Sequence, residues 1–384
     1  MRANFSSRVR SLVAARAGYR CSFPECGRST IGPGAGREET ASIGVAAHIY
    51  AAAPGGPRGP GHASTSELDS VGNALWLCAK HARIVDANRG DKFPAPVLLS
   101  YRDVHEARLS LELEDIATLD GWIEMVKVAN APGFCGPATV RLGKTTIFRG
   151  PSGSMKTALC EWLMASLSTD SFGRWTETKH PISLSIRLIA PHRVHEAAVT
   201  IDSGLISYMV DDAPSPYIPL NMSVVFVRDV DTTKTMSAKR RLAATLGVPL
   251  ARLIQLLEFL PKNPGSIVRA ARHEKRKLFL DMNGTQAGLP FEALSGSEKV
   301  LVTIEFAVAN AIFESKFKPT LLIIDSGLGM MDVDTTCRVL RRLAAPALRF
   351  QTIAVGPNPN ADITGWQAYD FAHGPPVSVK PARL

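Results

Sequence analysis

Apolar and polar positions follow two different patterns in the two parts of the chain. In the first part, short apolar segments are separated by loops rich in glycine and proline, at 31–38 and 53–66. Proline and glycine at 130–137 then mark a boundary. Before that boundary, the spacing of apolar positions predicts a helix over 8–20, a strand over 43–49, and helices over 81–88 and 96–117.

Beyond the boundary, apolar strands alternate with helices. The predicted strands cover 145–150, 183–189, 222–228, 277–283, 321–325 and 350–356. The predicted helices cover 156–168, 237–260, 296–314 and 333–344. Since parallel strands are joined by crossover helices, the alternation predicts a mainly parallel α/β sheet. We therefore expect an N-terminal module over 1–118, a linker over 119–137 and an α/β domain over 138–384.

The composition is typical of a soluble globular protein. The 384 residues are 45% hydrophobic and 21% charged, which is ordinary for such proteins. No apolar run approaches the roughly 18 residues that a membrane span requires, and residues 1–20 lack the apolar stretch of a secretory signal. Six cysteines, two of them in a metal-like pair, suit a reducing cytoplasm better than a disulfide scaffold. These features predict a cytoplasmic protein.

The net charge of +9 is concentrated in one segment. Residues 234–277 contain eleven lysines and arginines, opposed only by Glu258 and Glu274, so their excess equals that of the whole chain. Clustered positive charge is typical of proteins with a phosphate-rich partner. A solvated helical face can carry the same charge. The segment is interpreted as a basic insertion that contacts nucleic acid, with the solvated face as the alternative.

Two short-spaced pairs of metal-binding residues lie in the N-terminal module. Cys21 and Cys26 form the first pair, and Cys78 and His81 form the second after a longer excursion. Structural zinc takes four nitrogen or sulfur ligands tetrahedrally, commonly from two such pairs. The spacing therefore predicts a structural Zn²⁺ site.

A single histidine, His48, stands in the sequence IGVAAHI between the two pairs. Together with GGPRG at 55–59 and GNALWLCAKHARIVD at 72–86, this segment resembles a bacterial subgroup of the HNH endonuclease family. The resemblance implies an α+β zinc treble-clef module of the ββα-metal type that hydrolyses DNA. It implies that His48 is the general base and that Asn73 holds a loop through side-chain hydrogen bonds. It also implies a catalytic Mg²⁺ or Mn²⁺ ion that stabilises charge on the phosphate.

Two positions depart from that family's pattern. The carboxylate that usually precedes the histidine is Ala47, and the His or Asn that usually follows the last zinc ligand is Ala82. Neither alanine can bind a metal ion. Asp86 lies four residues after Ala82, hence on the same face of a helix. We expect Asp86, with Asn73, to place the ion instead, and a surface cap or ion pair is the other role open to Asp86.

The sequence GPSGSMKT at 150–157 follows a predicted strand and opens a predicted helix, which is the context of a phosphate-binding loop. Backbone N–H groups around Gly150 and Gly153 would cradle phosphates. Lys156 would neutralise them, and the Thr157 hydroxyl would hold Mg²⁺. One position departs from the pattern G-x-x-x-x-G-K-[ST], because Met155 stands where the second glycine is expected.

Three further motifs follow in order: LSGSEK at 294–299, LLIIDS at 321–326 and GMMD at 329–332. They resemble the signature motif, the Walker B strand and the D-loop of ATP-binding cassette proteins, in particular the compact RecF-like or SMC-like ATPases. The resemblance implies that Asp325 faces Mg²⁺. It also implies a homodimer in which Ser295 and Gly296 of one subunit cover the ATP of the other. Ser326 replaces the glutamate that positions the attacking water, so we expect ATP binding with weak or absent hydrolysis.

Taken together, the motifs predict an HNH-type DNA endonuclease fused to a P-loop NTPase-type α/β domain. The combination looks like a single-chain counterpart of the Septu pairing of an ATPase with an HNH nuclease, which implies antiphage or genome defence. The expected partners are duplex DNA, ATP, a second copy of the chain and an operon-encoded protein. The alternatives are a DNA-binding clamp or sensor that does not cleave, and an ATPase whose zinc module binds another protein.

Overall fold

In the computed structural model, the chain divides into two compact units. Unit 1 comprises Met1–Ile116 with Lys316–Lys318, and unit 2 comprises Ala117–Ser315 with Pro319–Leu384. The residues that the structure describes are 5–23, 26–53, 55–61, 63–113, 122–134, 136–167, 173–190, 193–215, 222–228, 237–274, 277–282, 288–345, 347–356, 364–372 and 378–382.

Unit 1 combines short antiparallel strands with helices. Its helices are α1 (Ser7–Arg16), α2 (Thr65–Leu68), α3 (Ala79–Asp86) and α4 (Ala95–Leu113). Its strands are β1 (Ile31–Pro33), β2 (Thr40–Ser42), β3 (Gly44–His48) and β4 (Ala74–Cys78). Strand β1 pairs with β2, and β3 pairs with β4, both antiparallel. Helix α3 follows β4 directly, so β3, β4 and α3 form a strand–strand–helix unit. The predicted helix over 8–20 ends early, since Gly18 and Tyr19 adopt positive φ.

Unit 2 contains the remaining helices and strands. Its helices are α5 (Lys156–Leu167), α6 (Ala238–Thr245), α7 (Leu250–Phe259), α8 (Gly296–Glu314) and α9 (Val333–Leu343). Its strands are β5 (Ile123–Asn130), β6 (Ala138–Arg141), β7 (Thr145–Arg149), β8 (Ile182–Ala190), β9 (Arg193–Asp202), β10 (Leu205–Val210), β11 (Ala213–Ser215), β12 (Ser223–Val227), β13 (Val268–Glu274), β14 (Lys277–Met282), β15 (Leu289–Pro290), β16 (Thr320–Ile324), β17 (Gln351–Gly356), β18 (Gln367–Phe371) and β19 (Val379–Pro381).

The central sheet of unit 2 has the strand order β12-β16-β17-β7-β18-β19. Its first five strands are parallel, and β19 pairs antiparallel with β18. Both faces are buried, as the continuous apolar run of β16 requires. Leu321 and Ile323 pack in the core that contains α5, whereas Leu322 and Ile324 pack in the core of α6, α7, α8 and α9. Unit 2 therefore contains an α/β layer, in which helices cover both faces of a mainly parallel sheet.

A second sheet in unit 2 is antiparallel, with the order β11-β10-β9-β8-β5-β6. The prediction of a mainly parallel sheet is confirmed for the central sheet. It is wrong for 183–189 and for the strand predicted over 277–283, because β8 and β14 pair with antiparallel neighbours. Residues 123–130, within the predicted linker, form β5, whose Ile123, Val126 and Val128 are buried against α5. Strands β9 and β10 join at Ser203 and Gly204, whose φ values of 49° and 82° are those of a tight hairpin turn.

The predicted helix over 237–260 is two helices. Gly247 has a φ of 62°, and Pro249 precedes α7, so the helical hydrogen bonds cannot continue. Among the described residues no single helix is long and apolar enough to cross a membrane. The helical segments Ala238–Thr245 and Leu250–Lys262 reach the required length and apolar composition only when they are counted together, and they meet at an angle of 95°.

Candidate functional site

The four predicted zinc ligands form one cluster in unit 1. The Cys21 sulfur lies 3.6 Å from Nδ1 of His81, and the Cys78 sulfur lies 3.3 Å from the same nitrogen. With Cys26, all four ligand atoms lie within 4.8 Å of one another. Two ligands of a tetrahedral zinc ion are separated by about 3.5 Å, given Zn–S and Zn–N bonds of about 2.3 and 2.0 Å. The donor set therefore fits a closed, four-coordinate zinc site.

Local structure explains why these residues meet. Cys78 is the N-cap of α3, so His81 follows within the first helical turn. Cys21 and Cys26 lie in a turn that is closed by the antiparallel bridge between Arg20 and Ser29. The ring of Phe23, in that turn, stacks on the His81 imidazole with centroids 4.1 Å apart and a 1° interplanar angle.

The surroundings of the cluster shift the pKa values of its residues in different directions. Burial raises the pKa of the Cys21 thiol to about 12. Burial also acts on Cys78, but hydrogen bonds from the His81 and Lys80 backbone and from neighbouring thiols leave its pKa lowered. Burial, with the charges of Lys80 and Arg28, lowers the pKa of His81. These effects favour the neutral imidazole, the form that binds a metal ion.

A cleft of about 1050 Å³ in unit 1 is lined by His48 and Asp86 of the three predicted catalytic residues, but not by Asn73. Its lining includes His48 at the end of β3, together with Arg10 of α1 and Arg83 and Asp86 of α3. The ring of Phe5 stacks on the His48 imidazole, with centroids 3.8 Å apart and a 12° interplanar angle. This stacking fixes the plane of the imidazole in the wall of the cleft.

Arg58 organises the backbone around His48, and it was not among the predicted site residues. Its side chain is only 5% exposed and donates to the carbonyls of His48 at 2.9 Å, Ile49 at 2.6 Å and Val85 at 2.7 Å. It also donates to Asp86 Oδ1 at 2.7 Å. Arg58 belongs to the GGPRG segment, which is part of the resemblance to the HNH family. That resemblance could have identified Arg58 as a candidate, but it does not indicate the contacts that Arg58 makes.

Asn73 is a buried structural anchor. Its side-chain nitrogen donates to the carbonyls of Tyr50 and Leu68, both at 2.9 Å, and its oxygen accepts from the Tyr50 backbone N–H at 2.8 Å. These bonds hold the chain that follows His48. The amide oxygen is thus already engaged with the backbone, and Asn73 is only 6% exposed. Its contacts are those of a residue that positions the loop rather than of an ion ligand.

The residues around His48 do not form a ready-made site for a second metal ion. Among the described residues, the Cys/His cluster is the only group of three or more potential ligands close enough to hold an ion. Ala47 and Ala82 contribute no ligand, and one oxygen of Asp86 is engaged by Arg58.

The predicted phosphate-binding loop connects β7 to α5 in unit 2. Gly150 and Gly153 have φ values of 139° and 79°, which favour glycine. A Cβ atom at Gly150 would lie 2.2 Å from the carbonyl oxygen of Phe371. Lys156 Nζ donates to the carbonyls of Gly150 at 2.9 Å and Pro151 at 2.7 Å, and Thr157 is exposed beside it. The loop thus ends at a helix N-terminus, which suits an anion.

Met155 adopts a conformation that favours glycine. Its φ is 66°, at the position where the phosphate-binding pattern has its second glycine. A methionine in the left-handed region costs free energy that a glycine avoids. The backbone therefore keeps the expected shape of the loop although the residue departs from the pattern.

The remaining residues predicted to contact the nucleotide lie after β16 and at the start of α8. Asp325 follows β16 and its charge opposes the burial that lowers the pKa of Lys156, so the two side chains share one electrostatic environment. The hydroxyl of Ser326 is buried and has no hydrogen-bond partner within the described part of the chain. Ser295 caps α8 through a capping box with Glu298, and a side chain at Gly296 would meet only Met330, at 3.8 Å.

The basic segment 234–277 is partly structural. Leu242, Leu253 and Leu257 from its two helices belong to the core of unit 2. Arg241 is buried, and Arg252 donates to Glu314 at 2.6 Å. Lys234, Lys275 and Arg276 lie outside the described residues. The exposed cations of the segment that the structure describes are Arg240, Lys262, Arg269, Arg272 and Lys277.

Comparisons with known proteins bear on the fold alone. No protein-family model and no curated protein matches the chain. The chain is similar to the SMC head domain from Thermotoga maritima, with 13% identity, a TM-score of 0.46, and coverage of 68% of this chain and 100% of that one. It is also similar to the SmcHead bound to the C-winged helix domain of ScpA, with 15% identity, a TM-score of 0.49, and coverage of 68% and 98%. A third structure is the Smc head domain with an extended coiled coil bound to the C-terminal domain of ScpA from Pyrococcus furiosus, with 13% identity, a TM-score of 0.49, and coverage of 68% and 96%.

Proposed function

We propose that the chain is a nucleic-acid endonuclease whose zinc-organised N-terminal module cleaves phosphodiester bonds under the control of its nucleotide-binding α/β domain. The observation that carries the proposal is the position of His48 in the wall of a cleft that Arg10 and Arg83 also line. An imidazole beside two guanidinium groups combines a proton acceptor with binding sites for phosphate.

The proposed reaction is hydrolysis with His48 as general base. The imidazole takes a proton from a water molecule, and the resulting oxygen nucleophile attacks phosphorus. The bond from phosphorus to the leaving oxygen breaks, and that oxygen takes a proton from solvent. Arg10 and Arg83 hold the flanking phosphates, while Arg58 holds the carbonyl of His48 at 2.9 Å and so keeps the base in place. No step is assigned to a divalent ion, because the residues that the structure describes around His48 do not form a site for one.

The α/β domain is proposed to bind ATP with Mg²⁺ through the loop at 150–157. Lys156 would exchange its bonds to loop carbonyls for bonds to phosphate, and Thr157 with Asp325 would hold the ion. Ser326 has no carboxylate with which to position a water, so hydrolysis is expected to be slow. A second subunit would cover the nucleotide with Ser295 and Gly296, which links nucleotide binding to dimerisation. The proposed setting, antiphage defence in the cytoplasm with an operon-encoded partner, rests on the resemblance to Septu.

A second candidate function is a nucleic-acid-binding clamp that does not cleave. It is favoured by the ion pair between Asp86 and Arg58, which engages a carboxylate in the lining of the same cleft as His48. It is also favoured by the alanines at 47 and 82. The clamp would keep the zinc fold and the nucleotide-gated dimer for binding alone.

Nicking of supercoiled plasmid distinguishes the two functions. The purified protein would be assayed with Mg²⁺, with Mn²⁺ and without added divalent ion, beside His48→Ala and the control His180→Ala, whose histidine is exposed and lies outside the cleft. Nicking that His48→Ala abolishes and His180→Ala preserves supports the nuclease. Plasmid binding without nicking in every condition favours the clamp, and absence of binding at low salt favours a protein-interaction role for the zinc module.

A further inference from the structure

An aromatic side chain lines the cleft of unit 1 in an unusual backbone conformation. Tyr19 follows the end of α1 with a φ of 54°, in the left-handed region that bulky residues rarely adopt. It is 39% exposed and belongs to the lining of the cleft. A large apolar ring is thus displayed to solvent at a position where asparagine or glycine would be easier to accommodate.

A chain of hydrogen bonds holds Tyr19 in this conformation. Its carbonyl accepts from the Thr30 backbone N–H at 2.8 Å and from the Thr30 hydroxyl at 2.6 Å. The Thr30 hydroxyl in turn accepts from Nε1 of Trp76 at 2.8 Å. Trp76 packs so closely on Gly44 that a Cβ atom there would lie 2.1 Å from the indole ring. Strain that the surroundings enforce in this way is characteristic of functional sites.

The chemistry around Tyr19 combines apolar surface with positive charge. Ile31 and Val45 line the same cleft and are 36% and 39% exposed. Arg10 and Arg83 are exposed in its lining, and neither forms an ion pair with any residue that the structure describes. Arg58 and Asp86 neutralise each other. The cleft therefore offers net positive charge beside exposed apolar side chains.

This combination matches an unpaired nucleotide better than a base-paired one. A duplex presents phosphates on its outside and keeps the faces of its bases stacked inside, so apolar side chains gain little from it. An unstacked base offers an apolar face that aromatic side chains bind without regard to sequence. The volume of about 1050 Å³ is at the upper end of small-ligand pockets, which leaves room for a base with its flanking phosphates.

We propose that the cleft binds an unpaired nucleotide, with its base stacked on Tyr19 and its phosphates held by Arg10 and Arg83. This inference rests on the proposed nuclease function and specifies its substrate as single-stranded or locally unpaired nucleic acid. In this proposal Tyr19 binds the base by stacking, whereas His48 acts as the general base in hydrolysis. Duplex DNA then binds through its phosphates alone, and more weakly.

Fluorescence anisotropy with a labelled oligothymidine and a duplex of equal length tests this inference in the full-length protein, without added divalent metal. Tyr19→Asn removes the ring but suits the left-handed conformation, so the fold should be kept or stabilised. We expect it to weaken oligothymidine binding roughly 10-fold to 100-fold and to leave duplex binding unchanged. Tyr19→Phe, which keeps the ring, should bind as the unaltered protein does. Met209→Ala is the control and should leave both affinities unchanged, since Met209 of β10 is 43% exposed, does not line the cleft and lies outside the basic segment.

The outcomes separate this inference from the nuclease proposal. Equal binding of both oligonucleotides, with no effect of Tyr19→Asn, overturns the inference even if plasmid nicking depends on His48. Selective loss of oligothymidine binding supports it even if no cleavage is found. Arg10→Gln and Arg83→Gln should weaken the binding of both oligonucleotides to the same extent and make that binding less dependent on salt concentration. A loss in Tyr19→Asn that is equal for both oligonucleotides also overturns the stacking role.

Discussion

Arg58 donates a hydrogen bond to Asp86 at 2.7 Å, and the same guanidinium donates to the carbonyl of His48 at 2.9 Å. One nearly buried cation thus joins the end of β3 to the end of α3. Asp86, expected from the sequence to replace missing metal ligands, acts in the structure as the partner of Arg58. The exposed 32% of its side chain still faces the cleft.

Removing the Arg58 guanidinium should destabilise unit 1. Arg58→Met leaves the Asp86 charge and three backbone carbonyls without their donor, so we expect a loss of about 3 kcal/mol in the free energy of unfolding. Urea titration of the full chain checks this. Arg83→Met is the matched control, because Arg83 is exposed and should change the value by less than about 0.5 kcal/mol. Equal effects of the two substitutions would show that the Arg58 contacts do not support the fold.

The protein should contain one zinc ion per chain. Cys78→Ser removes a thiolate from the cluster, so zinc content should fall below one ion per chain and unit 1 should become sensitive to protease. Cys337→Ala, at a buried cysteine in the core of unit 2, should retain the metal. Metal analysis of the purified proteins measures both. Full zinc content in Cys78→Ser would be inconsistent with the proposed ligand set.

Glycine at position 155 should improve nucleotide binding. Met155→Gly removes the cost of a left-handed methionine and lets the backbone N–H groups approach phosphate, so we expect ATP to bind several-fold more tightly. Ser152→Gly is the control, since Ser152 lies in the same loop without a positive φ. Titration calorimetry with ATP and Mg²⁺ measures the affinity. Weaker binding by Met155→Gly would mean that the methionine side chain supports the loop.

Gly44 should tolerate no side chain. Gly44→Ala places a Cβ atom 2.1 Å from Cζ2 of Trp76, so strand β3 or the indole must move, at a cost of about 2 kcal/mol. At Gly32, in β1, a Cβ atom would meet nothing within 4 Å, so Gly32→Ala should be nearly neutral. Thermal unfolding compares the two variants. A Gly44→Ala protein as stable as the Gly32→Ala protein would contradict the packing described for Trp76.

Elements with strong local signals are predicted well from the sequence. The predicted helix over 296–314 coincides with α8, because Ser295 and Glu298 form a capping box at its start. Strand β16 lies within one residue of its prediction, since its continuous apolar run suits a strand buried on both faces. The Cys/His cluster is also predicted from spacing. The two residues of each pair are close in the sequence, and a tetrahedral zinc site requires that the two pairs come together.

Long-range relationships are not predicted in the same way. Strand β9 escapes prediction because alanines at 197 and 198, one on each face, make its apolar alternation weak, although Ser203 and Gly204 carry a turn signal. The role of Arg58 depends on partners at 48, 49, 85 and 86, which only the fold brings together. Tyr19 gives no sign in the sequence of its left-handed backbone.

Single-turnover cleavage of nucleic acid, with and without ATP, tests the central claim most directly. The unaltered protein would be compared with His48→Ala and Lys156→Ala under identical Mg²⁺ concentrations. We predict cleavage whose rate changes with ATP, a loss of at least about 100-fold in His48→Ala, and cleavage that no longer responds to ATP in Lys156→Ala. Cleavage by His48→Ala at the unaltered rate would contradict the account.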